Sequence, residues 1–250
     1  MSKDNNNDQF SRGSQVVDLK RAQGTSSRIN NMAELGRMSV EEMAARKIVH
    51  PGMQNKQVLN TFREIRTQLL QRAGGSNFIV MVGSLASRSG SSFVATNLAT
   101  VLALDKTKTA VLIDCNLYDP SLHQLLDVDP DYGLTDYLAE EHLEINDIIY
   151  ATGIPRLRVV PVGTHVEAGA EYFGSTRMLH FLSDLKQRYP DRYVILDVPP
   201  VGLWAEARIL SELSDFSVLV VPYGKVNEGQ VIAAIDALGE EKLAGLVFNN

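Results

Sequence analysis

A single cysteine, Cys115, stands among 250 residues, so no disulfide can form within the chain and a disulfide-stapled secreted scaffold is excluded. No apolar run approaches the roughly 20 residues that a membrane-crossing helix requires. The opening stretch MSKDNNNDQFSRGSQ lacks the apolar core of a signal peptide, so a cytoplasmic location is expected. Cationic excess is absent too. Against 24 Lys and Arg there are 30 Asp and Glu, a formal charge of -6, which argues against a general affinity for nucleic acid or anionic lipid. The five histidines are scattered and no Cys/His spacing has the form of a zinc site. No G-x-G-x-x-G follows the first strand-like segment, which disfavours a dinucleotide-binding Rossmann domain.

What the chain does have is enough apolar residue, 44%, to bury one substantial core. Residues 1–51 are rich in Asn, Ser, Asp and Arg, too apolar-poor to offset the entropy of ordering, so a largely disordered tail is expected ahead of a domain at 52–250. The segment Val40 to Arg46 is helical in composition with Ser39 as a candidate N-cap, which leaves open a docked helix or partner-binding element on one side and a loosely held surface turn on the other. Further on, Val58, Leu59, Phe62, Ile65 and Leu69 recur on one helical face while Arg63 and Arg66 lie off it, the pattern of an amphipathic helix. After Gly74-Gly75, β-formers come in short bursts at 78–82, 110–113, 157–160, 193–196, 216–221 and 243–248. Helical segments at 91–104, 175–189, 205–213 and 228–238 lie between most of them. This alternation demands crossover connections, hence an α/β fold with a mostly parallel sheet covered by helices on both faces.

In such sheets ligands sit beyond the carboxyl ends of the strands. Those ends read Gly83-Ser84, Asp114-Cys115-Asn116, Asp197-Val198-Pro199-Pro200 and Pro222-Tyr223-Gly224. Between the first strand and the next helix runs Gly83-Ser84-Leu85-Ala86-Ser87-Arg88-Ser89-Gly90-Ser91-Ser92, where a phosphate-binding loop belongs. A working loop needs glycines so that backbone amides can wrap phosphate, a lysine to neutralise it, and a Ser or Thr hydroxyl for magnesium. Gly90 and Ser92 meet two of these needs, but Ser91 stands at the lysine position.

The ordered set Phe62-Arg63-Glu64-Ile65-Arg66-Thr67, SLASRSGSSFVATNLA, VLIDCNLYDPSLHQLL, GLTDYL, VVPVGT, YVILDVPPV and GLVFNN resembles the bacterial tyrosine kinases that pair with polysaccharide co-polymerases. The resemblance spans Leu59 to Asn250. It implies a P-loop NTPase-like fold related to the chromosome-partitioning and septum-placing ATPases, with ATP or ADP and Mg as the family's cofactors. It maps Arg88, Ser89, Gly90, Ser91, Ser92 and Asn116 onto nucleotide-binding positions and Ser92 and Asp114 onto magnesium handling. Asp114 and Asp197 fall on catalytic positions, and Arg63 and Arg66 on the helix that docks a neighbouring subunit.

The departures are at the chemistry. The family's phosphate lysine is Ser91, an earlier loop glycine is Arg88, the second of two paired aspartates is Asn116, and the basic residue that follows is Tyr118. The docking helix has Asn60 where a Glu begins the motif, which weakens the expectation of a homo-oligomer. The chain stops at Phe248-Asn249-Asn250 without the family's tyrosine cluster. Lysine and metal supply much of the charge stabilisation in phosphoryl transfer. The expectation is therefore a pseudokinase-like regulator of capsular or exopolysaccharide synthesis and export, without a resident nucleotide or metal. Its partner would be an inner-membrane co-polymerase or glycosyltransferase met on the cytoplasmic face, not nucleic acid. The alternative is an ATP-dependent tyrosine autokinase or ATPase using Arg88 and Asp197. A partitioning-type ATPase is disfavoured by Ala86, where those proteins carry a signature lysine. Tyr118 and Tyr223 are expected to pack at strand ends, Trp204 in the core, Cys115 as a small buried residue, and His123 in a structural role.

Overall fold

The structure, a computed structural model, describes residues 36–164, 167 and 169–249. Helix α1 (Val40–Ala45) starts as its sequence predicts. The Ser39 hydroxyl accepts from the Glu42 N–H at 3.1 Å and the Glu42 carboxylate accepts from the Ser39 N–H at 2.7 Å, satisfying two otherwise orphaned amides reciprocally. Beyond it the chain enters the core: Ile48 and Val49 are fully buried, and the Val49 N–H donates to Asn97 Oδ1 at 2.7 Å. The same Asn97 carboxamide donates to the carbonyls of Lys47 and Phe93 at 3.3 and 3.0 Å.

Within the tail expected over 1–51, residues 36–51 are described and pack on the domain; residues 1–35 lie outside the described residues. Ile48, Val49 and the Asn97 amide dock the segment, joined by Met38 and Met43 packing on the same core and by the Met38 N–H donating to the Gly153 carbonyl at 2.9 Å. Asn97→Ala would leave the Val49 N–H buried without an acceptor. We expect a loss of about 2–4 kcal/mol in denaturant unfolding, from the orphaned donor and the lost contacts together. Faster tryptic cleavage at Arg46 and Lys47 is expected to accompany it.

Helix α2 (Lys56–Arg72) buries Leu59, Phe62 and Leu69 on one side, as the spacing predicts. There follow β1 (Ile79–Ser84), α3 (Ser91–Ala103), β2 (Thr109–Asp114), α4 (Leu122–Leu125), α5 (Leu134–Ala139), β3 (Tyr150–Ala151) and β4 (Leu157–Val160). The second half runs α6 (Gly169–Phe173), α7 (Thr176–Arg188), β5 (Arg192–Asp197), α8 (Ala205–Leu213), β6 (Phe216–Pro222), α9 (Glu228–Leu238) and β7 (Leu243–Asn249). The strands form one sheet in the order β3-β4-β2-β5-β1-β6-β7. Every pairing is parallel except β3 with β4. The six strands read from the sequence are present; β3, two residues long, is too short to show a pattern.

Alternate residues of each central strand feed opposite cores, as the two-residue period of a strand requires. Val80, Val82, Leu112 and Ile195 join Leu59, Phe62, Leu98 and Leu102 from α2 and α3 on one face. Met81, Val111, Ile113 and Leu196 join Phe173, Phe181, Leu182 and Leu210 on the other. Helix α3 is buried almost all round, from Val94 through Ala103, because α2 and the docked 48–50 segment cover the side away from the sheet. The helix that follows the 84–91 loop is therefore packed on both the sheet side and the outer side. β5 inserts between β1 and β2, so the chain reverses its direction of travel across the sheet there. The carboxyl ends of these three strands bound the crevice where such folds place ligands.

Candidate functional site

The loop from Ser84 to Ser91 closes on itself. The hydroxyls of Ser84 and Ser89 both donate to the Ala86 carbonyl, at 2.8 and 2.7 Å, a fold-back that short hydroxyl side chains make readily. Arg88 takes a left-handed backbone conformation at φ 55° and Gly90 another at φ 85°. Gly90 caps α3 with no side-chain cap bond of its own. Glycine is required there on two counts: the positive φ, and the fact that a β-carbon would overlap Asn249 Nδ2. That amide nitrogen donates to the Ser89 carbonyl at 2.9 Å. Ser91 is buried at the first helical position, and Ser92 is half-buried beside it.

Beneath the loop the register pairs Asp114 with Asp197 across β2 and β5. Both carboxyls are fully buried. Asp114 accepts from the N–H groups of Asn116 at 3.1 Å and of Ser121 and Leu122 at 3.2 Å each. Burial nonetheless prevails over these stabilising bonds and pushes its carboxyl up to about 6. Asp197 is pushed well above the ordinary carboxylate range by burial and then by the charge of Asp114. Neither of its oxygens has a hydrogen-bond partner; the Ser92 side chain acts in the opposite sense but without hydrogen-bonding geometry. Cys115 follows Asp114 and donates its N–H to the Asp197 carbonyl at 2.8 Å; it is fully buried, and burial raises its thiol far from a reactive thiolate. It is the small packed residue that its sequence context predicts.

Asn116 donates its N–H to Asp114 and its Nδ2 to the Asp119 carbonyl at 3.4 Å, while its Oδ1 is buried without a partner. Three unpartnered acceptor atoms, two on Asp197 and one on Asn116, thus collect at the strand ends. On this count the chemistry fits a hydrated cation. Toward a nucleoside triphosphate the loop offers little fixed charge: Ser91 brings none, and the loop's one cation, Arg88, has its side chain 88% exposed with Nε 4.0 Å from Asp119 Oδ2. Among the described residues no group of three or more His, Cys, Asp or Glu side chains is arranged to hold a metal.

The rim departs from expectation at its aromatic residues. Trp204, expected in the core, is 39% exposed and stacks on Tyr118 with ring centroids 3.6 Å apart. Tyr118 donates its phenolic O–H to Glu206 Oε1 at 2.7 Å; burial and that acidic partner push the phenol up to about 12. An aromatic pair therefore occupies the rim where the resemblance leads one to expect a basic residue. Tyr223, expected to pack, is 77% exposed. Of the two arginines expected to meet a neighbouring subunit, Arg63 is exposed on α2, whereas Arg66 is turned inward and donates to the Val101 carbonyl at 3.0 Å, closing the last turn of α3. His123 sits inside α4.

Sequence reasoning missed Asn249, Glu206 and Asn97. None carries a local signal: Asn249 meets a loop 160 residues earlier, and Glu206 reaches a tyrosine 88 residues earlier.

No protein-family model matches the chain. It is 30% identical over 199 residues to the tyrosine-protein kinase CpsD of Streptococcus agalactiae, covering 78% of this chain and 85% of that one. It is 32% identical over 172 residues to the tyrosine-protein kinase YwqD of Bacillus subtilis, covering 68% and 71%. Against the tyrosine-protein kinase ptk of Acinetobacter johnsonii, at 25% identity, it spans only 26% of the relative's length. Among solved structures, the kinase domain of the Escherichia coli tyrosine kinase ETK superposes with a TM-score of 0.73 at 24% identity, over 89% of this chain and 86% of that one. The cell division ATPase MinD of Pyrococcus furiosus shares the fold at a TM-score of 0.56 and 24% identity, over 68% and 70%.

Proposed function

Because the chain belongs to the family of bacterial tyrosine-protein kinases, we propose that it is a non-catalytic member that regulates polysaccharide assembly by docking. The observation that carries this reading is Ser91: a buried neutral hydroxyl stands where phosphoryl transfer needs a fixed cation. The fold-defining residues are in place around it, including the Asp114 and Asp197 strand ends, the Gly90 turn and the buried α3. Retaining the scaffold while losing the charges is what selection for shape without turnover would leave. The partner class follows from the family resemblance: a membrane polysaccharide co-polymerase or a glycosyltransferase, met on the cytoplasmic face. Among the described residues no helix is long and apolar enough to cross a membrane.

One observation favours the alternative, an unconventional kinase. Asp197, with two unpartnered oxygens beside Asp114, keeps a place for a cation, and Arg88 sits in the loop. Magnesium held there by Asp114, Asp197 and Ser92 would supply charge neutralisation. The chain's own residues would have to bring in the missing phosphate contact. Calorimetry of the purified natural chain with ATP and ADP, with and without magnesium, decides between them. No binding up to millimolar nucleotide is the expected result. Micromolar, magnesium-dependent binding would overturn the regulator reading.

A further inference from the structure

A phosphate loop is ordinarily shaped around its anion, whose oxygens gather the backbone amides. Here the turn is held from outside. The Asn249 carboxamide donates to the Ser89 carbonyl and packs where a side chain on Gly90 would be. Asn249 is itself fixed, because its strand pairs with β6 through Pro222 and its carbonyl accepts the Tyr223 N–H at 3.0 Å. From the inside, the two serine hydroxyls on the Ala86 carbonyl draw the loop together. The left-handed conformations at Arg88 and Gly90 are costly for arginine and persist only where neighbouring contacts over-determine them.

We infer that Asn249 is the positioning residue of the phosphate loop, holding the Ser89–Gly90 turn in its curled form. The edge strand β7 thereby contributes a side chain that fixes the loop between β1 and α3. This deepens the regulator reading, since a surface recognised by a partner must keep its shape with no ligand in it. The contact itself does not depend on that reading.

The test is tryptic cleavage of the full chain at the Arg88–Ser89 bond, followed by mass spectrometry in the absence of nucleotide. Arg88 is almost fully solvent-exposed, yet a protease needs a locally opened, extended segment. The natural chain should be cut slowly there. Asn249→Ala, and Asn249→Asp, which keeps the shape and removes the donor, should each be cut about five- to tenfold faster, the span of one net hydrogen bond. Cleavage at other sites should be unchanged. Equal rates at Arg88 would overturn the inference. So would parallel acceleration at every site, or failure of both variants to fold, since each would make Asn249 a global stability element instead of a loop-positioning one. With no nucleotide present, the outcome is separate from that of the calorimetry.

Discussion

The Ser91→Lys, Asn116→Asp double variant is expected to bind MgATP at least about 100-fold more tightly than the natural chain. A lysine at the first position of α3 would meet the triphosphate where the natural chain offers only a hydroxyl. A charge-assisted hydrogen bond is worth about 1.5–3 kcal/mol. The restored aspartate would add a third carboxylate to Asp114 and Asp197 and so improve the grip on magnesium, whose hard oxygen preference suits it. Together these contributions reach roughly 3–4 kcal/mol, or two to three decades of affinity. Ser91→Lys alone should recover the larger share, because it answers the triphosphate charge directly. Asn116→Asp alone should gain nothing without magnesium, since it adds negative charge beside an anion. Calorimetry with each single variant and the double one checks this ordering. A double variant that binds no better than the natural chain would mean that missing charge is not what closes the site, and the main support for the regulator reading would fall.

Asp197→Asn is expected to stabilise the protein at pH 7–8, by roughly 1–3 kcal/mol. The carboxyl is fully buried, neither oxygen has a hydrogen-bond partner, and Asp114 lies beside it. In the unfolded chain both carboxyls ionise near 3.8; in the folded protein both are raised, Asp114 to about 6 and Asp197 well up. Between those values the native state holds more protons than the unfolded one, so stability falls as pH rises through the window. The contribution is fully present below about pH 4 and is lost as pH passes 6 and continues upward. For the natural chain, denaturant unfolding should therefore give a lower free energy at pH 8 than at pH 5, by an amount on the order of 2 kcal/mol. The Asn variant should flatten that slope. An equal or higher stability of the natural chain at pH 8 would show that the pair is neutralised in some other way. A cost of this kind, kept at a strand end facing the crevice, is the usual mark of residues retained for something other than folding.

How much of this was legible beforehand divides along one line. Features set by neighbours in the chain were readable from it: the Ser39 cap of α1, the apolar stripe of α2, six of the strands, the parallel sheet that their alternation demands, and the place of the loop between β1 and α3. Each rests on a period or a spacing that the backbone's own geometry imposes. What closes over distance was not readable. The docking of Ile48 and Val49 through Asn97, the inward turn of Arg66, the outward stand of Arg88, the Tyr118–Trp204 stack and the reach of Asn249 to Ser89 depend on which surfaces meet once the sheet is assembled. The sequence by itself determined the architecture and the loss of charge at the site. Only the tertiary structure decided what holds that site in shape, because contacts between residues far apart in the chain are selected by packing and leave no period along it.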